Sequence, residues 1–571
     1  MNYSIILIIF LFNSLLSLDV TSQLVYKEVD FRSPLGIPLI LSGNFAELRS
    51  NHFHTGLDIK TNGSENYRIY AIDSGYVSRI NISHWGYGKA IYVDHPNGYT
   101  SVYAHLSRFP DHIEHYLRKK QFEQKSETVT LYPGKADLIV SRGEVIAYSG
   151  NTGSSSGPHL HFEIRETITE KPVNPLLFNF EIKDDISPSI YHVKFYPIKN
   201  SLVNGISKEK LIKVVGDKNN YSLEHSVKAS GLIGLGVHTI DKLNGASNKC
   251  GIYRISLFLD EEMIFQQVMD KLDFNTNRYI NAHKDYNEYK QKRRSIHKSF
   301  ITENNDLDIY KDHVNNGLVL INENRKYHFK YIVEDVNGNV SELEFDIQGE
   351  EEKSIAVQNS KEQLNAVLKK DSIVNEEFEA VFPERSMYGS TDLVYNNKEY
   401  SDGLTDLHML GQMKVPMHKY FVLKLKLGAV ADEYIDKALI VELSNDLKKL
   451  SSLGGQYENG WIQTETRSLG NYTVKLDTLP PVIKPINIYE GKNMDGGSKI
   501  EFKISDNLSG INDYDVWIDD NWVLSNYIPK KARLIIVFNN YNKIEKGKHY
   551  IKIMVTDERG NKTVRSYGFT Y

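Results

Sequence analysis

Two short histidine-rich segments about a hundred residues apart constrain this chain more than any other feature. The first is His54-Thr55-Gly56-Leu57-Asp58 and the second is Gly157-Pro158-His159-Leu160-His161-Phe162-Glu163. Between them, Tyr103-Ala104-His105-Leu106 closes an apparent β-hairpin. Histidine and carboxylate are what zinc takes in a catalytic site, where three protein ligands leave one position open for water. On a strand, side chains two apart share a face and lie about 7 Å apart. One histidine of His159-Leu160-His161 can therefore hold a metal while the other sits beside the bound water. The pattern has the chemistry of a zinc hydrolase, and the fold must bring its distant halves together.

In this order, His-x-Gly-x-Asp, Tyr-Ala-His-Leu, Ser149-Gly150-Asn151-Thr152-Gly153 and Gly-Pro-His-Leu-His-Phe-Glu resemble the lysostaphin-type (LytM-type) zinc endopeptidases over residues 40–180. Those enzymes cut peptide cross-links in bacterial peptidoglycan. The resemblance implies an antiparallel β-sheet peptidase domain with Zn2+ held by His54, Asp58 and His161. It implies that His105 and His159 flank the zinc-activated water as the catalytic pair. His52 competes with His54 for the ligand role; the family motif favours His54 and leaves His52 to packing or to orienting a ligand. Glu163 either orients a ligand imidazole or is plain strand polarity. Gly56, lacking a Cβ, is expected to let the backbone approach the metal. Because an imidazole must be neutral to bind zinc and its free pKa is about 6.5, metal and activity are expected to be lost below about pH 6.

At 571 residues the chain exceeds one core, and a prior of about 150 residues per domain suggests about four. Apolar residues at 40% and charged residues at 25% belong to a folded chain rather than a disordered one. A net charge of −5 offers no global basic field, so nucleic acid is not an implied partner. Residues 5–18 form an apolar run of signal-peptide length, although no Lys or Arg precedes it. This predicts a signal peptide over 1–22, with an uncleaved anchor as the alternative. The chain is then exported to the periplasm, cell envelope or outside, with no integral membrane span after signal removal. The single cysteine, Cys250, rules out an intramolecular disulfide and reads as a buried, inert thiol.

Alternating runs on either side of Pro96-Asn97-Gly98 predict a hairpin that delivers His105. His84 and His95 at its turns read as solvated. The charged stretch 110–127 reads as a helical insertion whose His112 and His115 lie on a solvated face. The Gly150-Asn151-Thr152-Gly153 loop either lines a substrate cleft or simply orients the His159–His161 strand.

Beyond Pro175 the chemistry stops and a repeat begins. Asp185-Ile186-Ser187-Pro188 recurs as Asp477-Thr478-Leu479-Pro480, and Asp241–Gly245 as Asp506–Gly510. Val333-Glu334-Asp335-Val336-Asn337-Gly338-Asn339 recurs as Val555-Thr556-Asp557-Glu558-Arg559-Gly560-Asn561. The reading is a mainly β chain: a peptidase domain over 23–182, an immunoglobulin-like β-sandwich over 183–350, a linker and β-rich domain over 351–475, and a C-terminal immunoglobulin-like sandwich over 476–571. The sandwiches are expected to be dispensable for cleavage and needed for targeting, so a chain ending near residue 182 is expected to fold and cut. The partner is the peptidoglycan cross-link, and the oligomeric state is open. The alternative is a catalytically silent peptidoglycan-binding or hydrolase-regulating member, which would be expected to lack some of these five residues.

Overall fold

The structure, a computed structural model, describes residues 26–217, 220–351, 372–389, 393–411 and 415–571. The apolar run, its cleavage site and most of 350–371 lie outside the described residues. The chain is mostly β, with 46% strand and 9% helix, and divides into two compact units. Among the described residues no helix is long and apolar enough to cross a membrane.

The first unit takes the chain up to residue 115 together with 130–357. Its N-terminal part is built from β1 (Leu41–Gly43), β2 (Leu57–Lys60), β3 (Gly75–Ile82), β4 (Lys89–Asp94), β5 (Tyr99–Ala104) and β6 (His159–Glu166). These run in the order β1-β2-β6-β5-β4-β3 within a nine-stranded sheet, antiparallel throughout. The β4–β5 hairpin forms where Asn97-Gly98 requires it. Gly98 turns with φ +86°, and Ile91 pairs with Tyr103. β6 has a neighbour on each side. Its apolar residues Leu160, Phe162 and Ile164 are fully buried on one face, and the period of two puts His159, His161 and Glu163 on the other. Burying a side chain such as Phe162 contributes about 1.5–3 kcal/mol.

Gly56 is required by the packing of neighbouring segments. A Cβ there would lie 2.4 Å from the Phe162 carbonyl oxygen and 2.8 Å from Glu163 Cγ. The close approach that requires glycine here is between β2's lead-in and β6. His95 differs from expectation: it is buried, with Nδ1 2.9 Å from the Ser74 carbonyl and Nε2 2.7 Å from Ser101 Oγ. It pins the hairpin instead of meeting solvent, and His84 is half-buried. The charged stretch is indeed a helix, α1 (Asp111–Gln124), with Ile113, Leu117 and Gln121 buried along one face. His112 and His115 are exposed on it.

In the same unit, β7 (Ser189–Pro197), β8 (Val227–Ile240), β9 (Lys326–Glu334) and β10 (Val340–Gly349) belong to a twelve-stranded sheet system. Its core includes Phe195, Val237 and Tyr331. Cys250 is buried here, and burial pushes its thiol well up, so it stays protonated and inert.

The second unit takes 116–129 and 358–571. Between residues 372 and 476 two five-stranded sheets share one core. Phe421 and Leu423 of β11 (Phe421–Lys426) meet Ile440 of β12 (Ala438–Leu443) and Val474 of β13 (Asn471–Leu476). The C-terminal portion again places two sheets over one core. Phe502 of β14 (Lys499–Ser505) belongs to one, and Ile553 of β15 (Lys548–Asp557) and Phe569 of β16 (Lys562–Thr570) to the other.

The sequence repeat is structural, with one shift of register. Ser341 Oγ donates to the Pro188 carbonyl and Thr563 Oγ1 to that of Pro481, each at 2.5 Å. Pro188 therefore matches Pro481 rather than Pro480, and Asp184 rather than Asp185 matches Asp477.

Candidate metal centre

Strand register assembles the site. In β6, His161 pairs with Asp58 of β2 on one side and with Ala104 of β5 on the other. Directly opposed residues on antiparallel strands hold their Cβ atoms about 4.5–5.5 Å apart, which brings His161 and Asp58 together. His54, just ahead of β2, and His105, just past β5, complete the cluster. His105 can bend into it because its backbone is left-handed, with φ +59°.

Each imidazole has its N–H committed to an oxygen outside the cluster. His54 Nδ1 donates to the Asn44 carbonyl at 2.7 Å and His105 Nδ1 to that of Thr152 at 3.0 Å. His159 Nδ1 donates to the Gly157 carbonyl at 2.8 Å, and His161 Nε2 to Glu163 Oε1 at 2.8 Å. A neutral imidazole has only one N–H, so its other nitrogen keeps a lone pair. Three of these converge on Asp58 Oδ1: His161 Nδ1 at 2.9 Å, His54 Nε2 at 3.1 Å and His159 Nε2 at 3.4 Å. His54 Nε2 and His161 Nδ1 are themselves 3.1 Å apart. Lone pairs facing a carboxylate oxygen repel unless a cation lies among them, either a metal ion or, in its absence, a proton on His161. His54, Asp58 and His161 form a buried group able to hold a metal ion. With zinc–ligand bonds of about 2.0–2.2 Å, tetrahedral ligands sit about 3.3–3.5 Å apart, close to the spacing found. The donor set fits zinc. His105 lies beside it, its ring centroid 4.8 Å from that of His159 and 5.9 Å from that of His161.

The surroundings hold these groups electrostatically. Asp58 Oδ2 accepts from Arg49 at 2.8 Å, and despite burial its histidine neighbours keep its carboxyl well below the usual range. Glu163 is fully buried and accepts from Thr55 Oγ1 at 2.6 Å, from the Tyr87 hydroxyl and from Arg165 Nε at 2.7 Å. Of its two expected roles it therefore has the first: it orients His161, with Arg165 balancing its charge. Burial, reinforced by the neighbouring imidazoles, pushes His105 down to about 3, so it stays neutral. His52 is exposed and takes no part. The Gly150–Gly153 loop orients the His159–His161 strand through a bridge between Gly150 and His159, and it also holds His105: Thr152 offers its carbonyl and donates its hydroxyl to the Leu106 carbonyl at 2.8 Å.

Asn44, Arg49, Tyr87 and Arg165 carry no motif signal, and neither do the residues that hold the loop 44–53. Asn44 exchanges hydrogen bonds with the Gly251 backbone at 2.6 and 3.0 Å, and Asn277 with that of Phe53 at 2.6 and 3.2 Å. Lys284, fully buried, donates to the Arg49 and Ser50 carbonyls at 2.6 and 2.7 Å. The loop that aims His54 and neutralises Asp58 is thus clamped from residues 251–284, beyond the expected domain boundary near residue 182. A chain ending near residue 182 is expected to bind zinc roughly 10–100-fold more weakly, measured by competition with a chelating dye. Wild-type affinity in the shortened chain would restore the simpler view.

Residues 52–122 and 124–175 match the model of peptidase family M23. The chain carries an M23 peptidase domain. A separate stretch, 362–477, matches a Zu5-like domain, covering the β-rich region between the two repeated sandwiches. Over 91 residues the chain is 38% identical to DD-carboxypeptidase/endopeptidase Mpg of Neisseria meningitidis, covering 16% of this chain and 15% of that protein. Over 99 residues it is 33% identical to peptidoglycan DD-endopeptidase ShyA of Vibrio cholerae, covering 17% of each. Among solved structures, the catalytic domain of lysostaphin from Staphylococcus simulans aligns at 23% identity and a TM-score of 0.18, covering 24% of this chain and 86% of that one. The chain thus spans less than a fifth of the length of these two curated relatives.

Proposed function

We propose that this protein is a zinc endopeptidase that hydrolyses peptide cross-links in peptidoglycan. The observation that carries the reading is the convergence of lone pairs from His54 and His161 on Asp58 Oδ1, with every imidazole N–H tied away from that point. The endopeptidase names of the relatives support the substrate class. The N-terminal apolar run supports export to the cell envelope, where that substrate lies, and the repeated sandwiches, read as immunoglobulin-like, suit attachment there.

His54, Asp58 and His161 would hold the ion, which when bound supplies Lewis acidity toward a carbonyl and acidifies water. His105 and His159 do the proton work. Both present an unprotonated ring nitrogen, because their Nδ1–H groups are held by the Thr152 and Gly157 carbonyls. One of the pair takes a proton from the attacking water at Nε2. The proton then passes to the amide nitrogen as the C–N bond breaks, leaving a carboxylate and a free amine. Incubating the zinc-loaded full chain with purified cross-linked muropeptides is expected to release new amino termini, and chelation to stop it. A fully zinc-loaded chain that leaves every cross-linked muropeptide intact would overturn the reading.

Protonation of the metal-free site gives a further check. Burial disfavours a charged His161, but Asp58 and Glu163 outweigh it and push its pKa up to about 9, against about 6.5 unfolded. Because the folded value is raised, the stabilisation from charged His161 is complete below about pH 6.5 and is lost as pH rises through about 9. Zinc takes the place of that proton. Binding near pH 7.5 should therefore release close to one proton, read from calorimetry in buffers of different ionisation enthalpy. Acid loss of zinc should begin above the pH of about 6 set by a free imidazole. A binding heat independent of buffer would contradict this account.

A further inference from the structure

Each of the two repeated sandwiches gathers three carboxylates, two of them buried and the third, Asp184 or Asp506, half-buried. In the first, Asp184 lies on the segment entering β7, Asp241 follows β8, and Asp335 follows β9. In the second, Asp477 follows β13, Asp506 follows β14, and Asp557 ends β15. Within each trio the ligand oxygens all lie within 4.8 Å of one another. The surrounding frame repeats. The Asn339 backbone N–H and side-chain amide donate to the two Asp335 oxygens at 2.9 and 2.7 Å, and the amide reaches the Asp184 carbonyl at 3.3 Å. Asn561 makes the same contacts with Asp557, both at 2.8 Å, and with the Asp477 carbonyl at 2.8 Å.

Acidic neighbours alone would not make a site, but two further observations point to a ligand. Asp241, only 2% exposed, and Asp477, only 1% exposed, each have an Oδ1 with no hydrogen-bond partner. Asp506, the counterpart of Asp241 in the second trio, likewise leaves its Oδ1 unpartnered, while backbone N–H groups of Leu508 and Gly510 hold its Oδ2 at 2.9 Å. An unmet carboxylate oxygen away from water is costly, yet it recurs at the same position in both copies. Among the described residues, no Lys, Arg or His forms an ion pair with any of the six carboxylates; the neighbouring Lys183 pairs with Asp185 instead. The first trio also borders a cavity of about 10 Å³, room for one small guest.

The missing partner must be a compact cation. An all-oxygen donor set without histidine or thiolate selects a hard ion rather than zinc. Three carboxylates in a largely dry setting suit calcium, which takes six to eight oxygens in flexible geometry, better than magnesium, which keeps its waters and uses one or two carboxylates. We propose that each trio is a structural calcium site, so that the chain binds two calcium ions, one where it enters each repeated sandwich. Asp184 and Asp477 lie on the entering segments, and the other two carboxylates of each trio on loops of the sandwich itself. Calcium would therefore tie each connecting segment to the sandwich that follows.

The test uses the full chain, stripped of metals and reloaded with one equivalent of zinc, titrated with calcium chloride by calorimetry. Two calcium ions per chain are expected, with a raised melting temperature. Asp241→Asn and Asp506→Asn should each leave one ion, binding at the lost site falling at least tenfold, and the double variant should leave none. Asp185→Asn, beside the first trio but outside it, should keep both. A folded wild-type chain that binds no calcium overturns the proposal. So does a double variant with undiminished binding, or magnesium filling the sites in preference to calcium. None of these readouts depends on peptidase activity, so this proposal and the assignment of function can fail separately.

Discussion

Replacing His161 with alanine is expected to abolish zinc binding and cross-link cleavage together. His161 supplies one of the three converging donors, and its Nδ1 lies 2.9 Å from Asp58 Oδ1 and 3.1 Å from His54 Nε2. Without it the remaining pair is too few for a catalytic zinc, which takes three protein ligands. The substitution also empties the space between Asp58 and Glu163, leaving Glu163 to Thr55, Tyr87 and Arg165. Because those donors still satisfy Glu163, the sheet should survive even though the metal does not. Zinc stoichiometry on the purified variant decides the matter. One zinc per chain in His161→Ala would mean that another histidine, His159 above all, is the true third ligand.

The second large effect separates holding metal from moving protons. His105→Ala is expected to keep zinc and lose turnover by about 10²–10⁴-fold, the usual cost of losing general acid–base help. The ligand group of His54, Asp58 and His161 does not include His105, and the bond it forfeits runs to the Thr152 carbonyl. Its backbone sits at φ +59°, where alanine is strained. His105→Asn provides a control, since asparagine tolerates that conformation better and also lacks the ring nitrogen. Turnover of cross-linked muropeptides and zinc content, measured on both variants, should agree with each other. Near-wild-type turnover in either would remove His105 from the chemistry, and loss of zinc from both would make it a ligand.

Much of the site was legible because it rests on local periodicity. The spacing of His159, His161 and Glu163 requires only that β6 be a strand, and Asn97-Gly98 announces the hairpin that ends at His105. Two further positions were decided by contacts from elsewhere in the chain. Gly56 is required by the carbonyl of Phe162, and His95 is buried by Ser74 and Ser101. The helix over 111–124 and the exposed placement of His112 and His115 followed from charge and spacing alone. The repeat was visible, but its register was not, since Asp184 and Asp185 are adjacent and identical and hydrogen bonds from Ser341 to Pro188 and from Asn339 to Asp184 distinguish them.

The sequence by itself picked out the histidine and carboxylate side chains that the fold brings together, and the alternating strands that present them. It could not show how each imidazole is turned. Three of the four N–H groups are held by backbone carbonyls, those of Asn44, Thr152 and Gly157. Every residue has a carbonyl, so no pattern of side chains marks the ones that matter. Nor could it show that Gly251, Asn277 and Lys284 clamp the loop that carries Asn44 and Arg49. Those contacts span more than two hundred positions, and only the tertiary fold, which sets a loop and short helical turns of 251–284 against the loop 44–53, makes them neighbours.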